Sequence, residues 1–315
     1  MQEVSISSLD NRIHLIDGYD LGIARRTGTY VIDDEHLTLI ETGPSPSVPY
    51  IKSGLDSLGF SLEQVKFIIV THIHLDHAGG VGLFLQECPN ATVVVHPKGA
   101  RHLADPRKLI AGAQAVYQDS FNDLFAPVLA VPEDRLEVKE EGETLRIGAQ
   151  SELRFLDTPG HARHHLSIYD PVSHGMFTGD TVGVHYKPLM DDGIGFFLPS
   201  TSPNHFDPDA MRRSVERIRD WKLDSIYFGH FGMTKNVDVA LDQVEEWLDV
   251  FMKAGKQVFS EKKGHEELAA RLRTHVEDYL RTLQVNDNHE VYTFINLDMH
   301  VCAIGIMDYL KKVQV

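Results

Sequence analysis

Residues 67–80 read Phe67-Ile68-Ile69-Val70-Thr71-His72-Ile73-His74-Leu75-Asp76-His77-Ala78-Gly79-Gly80. The opening run is apolar without alternation, which predicts a strand buried on both faces, as in a sheet covered by helices. In the extended segment that follows, successive side chains alternate. His72, His74 and Asp76 then point one way, and His77 follows where a helix would begin. Imidazole nitrogens and a carboxylate suit zinc, iron or manganese without any thiolate. Polar loop residues are often merely solvated. Here a wholly apolar strand feeds three His and one Asp at spacings of two, two and one, which is a far more specific pattern than a lone histidine. Gly79-Gly80 lets the backbone pass close by.

Three later places share this character. Thr158-Pro159-Gly160-His161 follows a strand expected at 152–156, Gly179-Asp180 one at 175–178, and Gly229-His230 one at 225–228. Each sets one metal-type ligand after a glycine at a strand's carboxyl end, the edge where α/β sheets bind ligands. Singly, such a residue is more often part of a turn. Together with the first cluster they describe one site.

With these residues in place the chain resembles the metallo-β-lactamase superfamily over about residues 10–235. The family's His-x-His-x-Asp-His motif is matched by His72, His74, Asp76 and His77, and its later ligands by His161, Asp180 and His230. The resemblance implies a four-layered αβ/βα sandwich with a binuclear metal centre. By the same carry-over His72, His74 and His161 hold one ion, Asp76, His77 and His230 the other, and Asp180 bridges them. Two divalent ions are expected, zinc first, with iron or manganese as the other fits. Such a pair, roughly 3.5–4 Å apart, lowers the pKa of a bridging water toward about 7. Hydrolysis of an ester, thioester or lactone follows, with Asp76 or Asp180 carrying the proton to the leaving group. Glyoxalase II-like thioesterases and lactonases both fit the ligand set. The family's persulfide dioxygenases, which use one iron, are the alternative from a different class.

The whole composition is consistent with that reading. The 315 residues carry 30 Lys and Arg against 46 Asp and Glu, a net charge of −16, with 18 His and only 2 Cys. A hydrophobic share of 42% and a charged share of 24% are those of a globular protein. The two cysteines cannot make a disulfide framework. The excess of negative charge would repel phosphate backbones, so nucleic acid is not expected as a partner. No apolar run approaches the roughly 18 residues of a membrane span, and the first residues are unlike a signal peptide. A cytoplasmic enzyme with a small-molecule substrate and no membrane partner is the expectation.

Residues 1–235 are expected to form the metal-binding domain, and 236–315 a helical extension packed on it. The extension shows helical periodicity broken near Lys263-Gly264 and at 285–288, with a last apolar helix over about 297–310. Ala303, Ile306, Met307 and Leu310 then form a core or a dimer face, a symmetric homodimer being the default oligomer. Lys262, Lys263, Arg271 and Arg273 read as a charged helix face. The segment 185–205 looks too irregular for strand or helix. Its Phe196, Phe197 and Leu198 are expected to cover an apolar acyl group, with Tyr186 as a further substrate contact; packing on the tail helices is the competing reading. Asp157, His164 and His165 are candidates to orient metal ligands, with at least one of the two histidines on the surface.

Overall fold

A computed structural model describes residues 4–10 and 12–313. These divide into two compact units: the described residues of 4–157, 164–179 and 223–235 in one, and of 158–163, 180–222 and 236–313 in the other.

The first unit holds two mixed sheets. One is made of β1 (Ile6–Ser8), β2 (Ile13–Asp17), β3 (Gly28–Ile32), β4 (Leu37–Ile40), β5 (Val65–Ile69), β6 (Thr92–Val95) and β7 (Leu136–Val138), in that spatial order. Pairing is antiparallel from β1 to β4 and parallel from β4 to β7. The residues of β5 serve both faces, as the unbroken apolar run predicts. Phe67 and Ile69 join the core shared with the second sheet. Ile68 and Val70 join the core under the helices Val48–Ser57 and Val81–Leu85.

The second sheet takes β8 (Thr144–Arg146), β9 (Glu152–Asp157), β10 (Leu166–Asp170) and β11 (Gly175–Gly179). A short antiparallel ribbon of β12 (Val184–His185) and β13 (Phe197–Leu198) belongs to the other unit, and β14 (Ser225–Phe228) and β15 (Met233–Thr234) complete the second sheet. There β14 runs parallel to β11, so the carboxyl ends of both lie on one edge. Between the sheets lie Ile13, Leu15, Tyr30 and Ile40 from the first and Phe155, Leu166, Phe177 and Tyr227 from the second. This is the expected α/β sandwich with a helical C-terminal region.

In the second unit the Asp207-Pro208 pair opens a helix as its sequence predicts. Asp207 accepts the N–H groups of Asp209 and Ala210 at 3.0 and 2.9 Å, and Pro208 sits at the first helical position. The tail forms helices Val237–Ser260, His265–Thr282 and Val291–Val313, so the last one begins six residues earlier than its apolar stretch suggests. Ala303, Ile306, Met307 and Leu310 are buried within the chain's own core. Arg271 pairs with Glu261 and Glu267, which makes its surroundings the charged face expected. Among the described residues no helix is long and apolar enough to cross a membrane.

The segment 185–205 departs from its reading as an irregular cover. It contains the ribbon β12–β13 and a short helix, Lys187–Asp191. Phe196 and Phe197 are wholly buried, and Phe196 lies 5.9 Å from the Trp247 ring and 5.7 Å from that of Tyr279. Tyr186, also buried, donates its O–H to Asp298 at 2.8 Å. The three residues assigned to substrate thus stand in the packing of the helical unit, and that packing accounts for the segment's aromatics. The competing reading of this segment describes it better.

Candidate functional site

Five of the seven expected ligands lie in the first unit, at strand ends. Because β4 and β5 are parallel, the residues that follow them meet on one edge. Thr71 N–H donates to Glu41 Oε1 at 2.8 Å, which fixes where the ligand loop leaves β5. His72 and His74 have ring centroids 4.6 Å apart, and His72 and His77 4.2 Å. The His77 ring lies 5.2 Å from that of His230, which follows β14. Donor atoms of Asp76, His77 and His230 all fall within 4.8 Å of one another.

Several residues hold these side chains in place. Glu41 is buried, and its Oε2 lies 3.2 Å from His77 Nδ1 while Asp76 Oδ2 lies 3.6 Å from His77 Nε2. A carboxylate this close to a ring nitrogen favours a proton there and leaves the other nitrogen the better metal donor. Thr71 Oγ1 shares a hydrogen bond with His72 Nδ1 at 3.0 Å, which holds the ring's orientation. Tyr30 points its hydroxyl at the carbonyls of Phe228 and Gly232, 2.7 and 2.6 Å away, and so braces both sides of the turn that carries His230.

His164 and His165 are both buried, so neither is the surface histidine expected. His165 stacks on His72 at 5.1 Å, and His164 Nδ1 accepts the Ile73 N–H at 3.5 Å, between two ligands. Gly179 closes this packing. Its φ is +47°, and an added Cβ would lie 2.5 Å from both His165 Nε2 and Thr71 Oγ1. Asp157 stands 3.3 Å from His96 Nε2. Asp20 is a buried carboxylate that the sequence did not point to. Burial pushes it up to about 6 against the pull of Arg26, and the negative charge of Asp76 adds to the rise.

The remaining two ligands, His161 and Asp180, lie in the second unit, with His161 Nε2 3.6 Å from Asp180 Oδ2. Ser200 serves both. Its carbonyl accepts from His161 Nδ1 at 3.0 Å, which leaves Nε2 as the lone-pair nitrogen, and its hydroxyl donates to Asp180 Oδ2 at 3.1 Å. Nothing in the stretch Pro199-Ser200-Thr201-Ser202-Pro203 announces this role, because a serine carbonyl carries no sequence signal.

The donor set therefore fits a metal: clustered imidazoles, one of them held in the tautomer that exposes Nε2, carboxylates beside them, and no thiolate. Cys88 and Cys302 stay outside it as buried thiols whose pKa burial pushes up to about 12. The family model of the metallo-beta-lactamase superfamily matches residues 25–230, from before β3 through the last of these ligands. The chain belongs to the metallo-beta-lactamase superfamily.

Its relatives agree with that placement. A metallo-beta-lactamase fold-containing protein of Sulfurisphaera tokodaii is 29% identical over 209 residues, 65% of this chain and 72% of that protein. A hydroxyacylglutathione hydrolase of Rhodopseudomonas palustris is 26% identical over 213 residues, 67% of this chain and 65% of that enzyme. Among solved structures, a metallo-beta-lactamase family protein from Thermus thermophilus aligns with a TM-score of 0.66 at 19% identity. That alignment covers 98% of this chain and 95% of the other, so the shared fold includes the tail helices.

Removing the Glu41 charge should loosen the metal without touching a ligand. If His77 is a metal ligand, Glu41→Gln is expected to weaken metal binding by about 10- to 100-fold, with secondary structure unchanged. Competition with a chromophoric chelator measures it, and wild-type affinity would show that Glu41 does not act through His77.

Proposed function

We propose that this superfamily member is a binuclear metallohydrolase of esters, thioesters or lactones. In this reading His72, His74 and His161 hold one divalent ion, Asp76, His77 and His230 the second, and Asp180 bridges them. Zinc suits the donors best, with iron or manganese next. The observation that carries it is the convergence of Asp76, His77 and His230 donors within 4.8 Å, in a ligand order that the family shares. The ions would supply Lewis acidity toward the carbonyl and a hydroxide at neutral pH.

The chain's own residues do the rest. Asp76, about a quarter exposed, is the carboxylate that solvent reaches, and it takes up the proton of the attacking water at an Oδ atom. It then returns that proton to the leaving oxygen or sulfur. Asp180 is buried and fixed by the Ser200 hydroxyl, which suits a bridging ligand better than a proton carrier. The hydroxyacylglutathione hydrolase among the relatives supports the thioester class. The charge of −16 supports a small substrate rather than nucleic acid.

A panel of p-nitrophenyl esters, lactones and S-acyl thiols tests the activity on metal-loaded protein. At least one class should turn over, and Asp180→Asn should lose that turnover by about a thousandfold, the several kcal/mol that metal-assisted catalysis supplies. An Asp180→Asn protein with wild-type turnover would remove the reading.

A further inference from the structure

The segment from His96 to Lys108, which follows β6, carries a charge opposite to that of the protein as a whole. It holds four basic residues, Lys98, Arg101, Arg107 and Lys108, against the single acid Asp105, in a chain whose net charge is −16. Asp105 is taken up by Arg107, whose Nε donates to it at 2.7 Å. Lys98, Arg101 and Lys108 are exposed, and none of the three has a carboxylate partner among the described residues. Cations elsewhere are placed differently. Arg212, Arg219, Arg271, Arg281 and Lys312 each engage a carboxylate.

Helix Pro97–Ala104 brings these charges to the ligand loop. Because β5 and β6 are parallel, the segments that leave them emerge on one edge of the sheet. The helix is seated on the loop itself. A Cβ on Gly99 would lie 2.9 Å from Cγ2 of Ile73, the residue between the expected ligands His72 and His74. At about 100° per residue, Lys98, Arg101 and His102 fall on one side of the helix, flanking the face that Gly99 and Leu103 bury. Arg101 Nε donates to His102 Nε2 at 3.2 Å. Burial, and then the charges of Arg101 and Lys108, hold the His102 imidazole below its ordinary range against the pull of Asp105. Lys108, from the start of helix Arg107–Tyr117, therefore acts on the same spot as the cations of the preceding helix.

We propose that Lys98, Arg101 and Lys108 receive the phosphate of a substrate whose thiol or alcohol part is phosphorylated, while its thioester or ester carbonyl lies at the metal ligands. The proposal rests on the hydrolase reading and narrows its substrate class. A phosphate monoester carries nearly two negative charges at pH 7 and three acceptor oxygens, which matches three cations better than a single carboxylate does. The planar guanidinium of Arg101 can meet two of those oxygens at once. An extended polyanion would also meet the acidic remainder of the surface, whereas one compact anion is met by the patch alone.

Calorimetry on metal-loaded protein, comparing S-methyl-4′-phosphopantetheine with S-methylpantetheine, tests the site without turnover, since these thioethers differ only in the phosphate. The phosphorylated probe should bind about tenfold more tightly at low salt, as a few exposed charge-assisted contacts allow, and the gain should fade as added salt shortens the Debye length. The Lys98→Glu/Arg101→Glu double variant, altered only at exposed positions, should bring the two probes level. Lys253→Glu/Lys256→Glu, an equal charge change on exposed positions of helix Val237–Ser260, should keep the tenfold ratio. Equal affinities in the wild type, or a ratio that survives in Lys98→Glu/Arg101→Glu, would overturn the proposal. So would wild-type protein that pellets with phosphatidylserine vesicles, or self-associates at low salt, where that variant does not. The patch would then belong to an anionic bilayer or to the acidic surface of a second copy. p-Nitrophenyl acetate turnover separates the two readings. Turnover with equal probe affinities removes the phosphate site and leaves the hydrolase; phosphate-dependent binding without turnover of any ester, thioester or lactone does the reverse.

Discussion

Substitution of His77 by alanine is expected to halve the metal content and to lower turnover by about a thousandfold or more, some 4 kcal/mol of transition-state stabilisation. The size follows from where the residue stands. His77 is buried, with Asp76 on one ring nitrogen, Glu41 on the other, and the His72 and His230 rings at 4.2 and 5.2 Å. Under the proposed ligand set its removal takes a donor from one ion and leaves the Glu41 carboxylate facing the gap. Glu41→Gln keeps the donor and should therefore lose affinity while saturating metal restores turnover. His77→Ala should not recover at any metal concentration. Elemental analysis alongside steady-state kinetics distinguishes the two, and a His77→Ala protein with full metal content would contradict the assignment.

Arg12→Leu is the substitution expected to cost most in stability, about 3 kcal/mol. Arg12 enters β2 at the edge remote in sequence from the ligands. It joins Asp170 at 2.5 Å and Asp34 at 3.2 Å, linking the turn after β3 to the end of β10. Asp170 is fully buried and also accepts from the Ser173 hydroxyl and N–H. Without the guanidinium a buried carboxylate keeps its hydrogen bonds but loses its counter-charge, which costs far more than an exposed pair. The Arg271 pairs, whose carboxylates are about a third exposed, offer the comparison, since Arg271→Leu should move the urea midpoint much less. Arg12→Leu should move it clearly down and leave metal content unchanged in the folded protein. Equal midpoints for the two variants would show that the Arg12 link adds nothing beyond a surface pair.

The clustering of candidate metal donors is legible in the sequence because metal chemistry limits the residue types and strand ends limit the places. The strand at Phe67 is legible because burial on both faces leaves an unbroken apolar run. Glu41 is not, since a lone carboxylate after a strand has no pattern until β4 is known to lie beside β5. Ser200 acts largely through its backbone, and Tyr30 reaches residues about two hundred positions away. The burial of both His164 and His165 escapes a sequence reading for a related reason. A polar residue is buried when partners satisfy it, and those partners lie on the ligand loop, far off in sequence. The segment 185–205 reads wrongly as irregular because its two-residue strands and five-residue helix are too short to show a period. Part of the histidine excess is now accounted for, with His96, His164 and His165 buried in supporting positions.

Elemental analysis of the purified chain, with oxygen consumption followed during turnover, tests the central claim most directly. The account predicts two divalent ions per chain, hydrolysis of an ester, thioester or lactone at a rate indifferent to oxygen, and loss of both ions and turnover on chelation. One iron per chain with oxygen uptake on glutathione persulfide would contradict it.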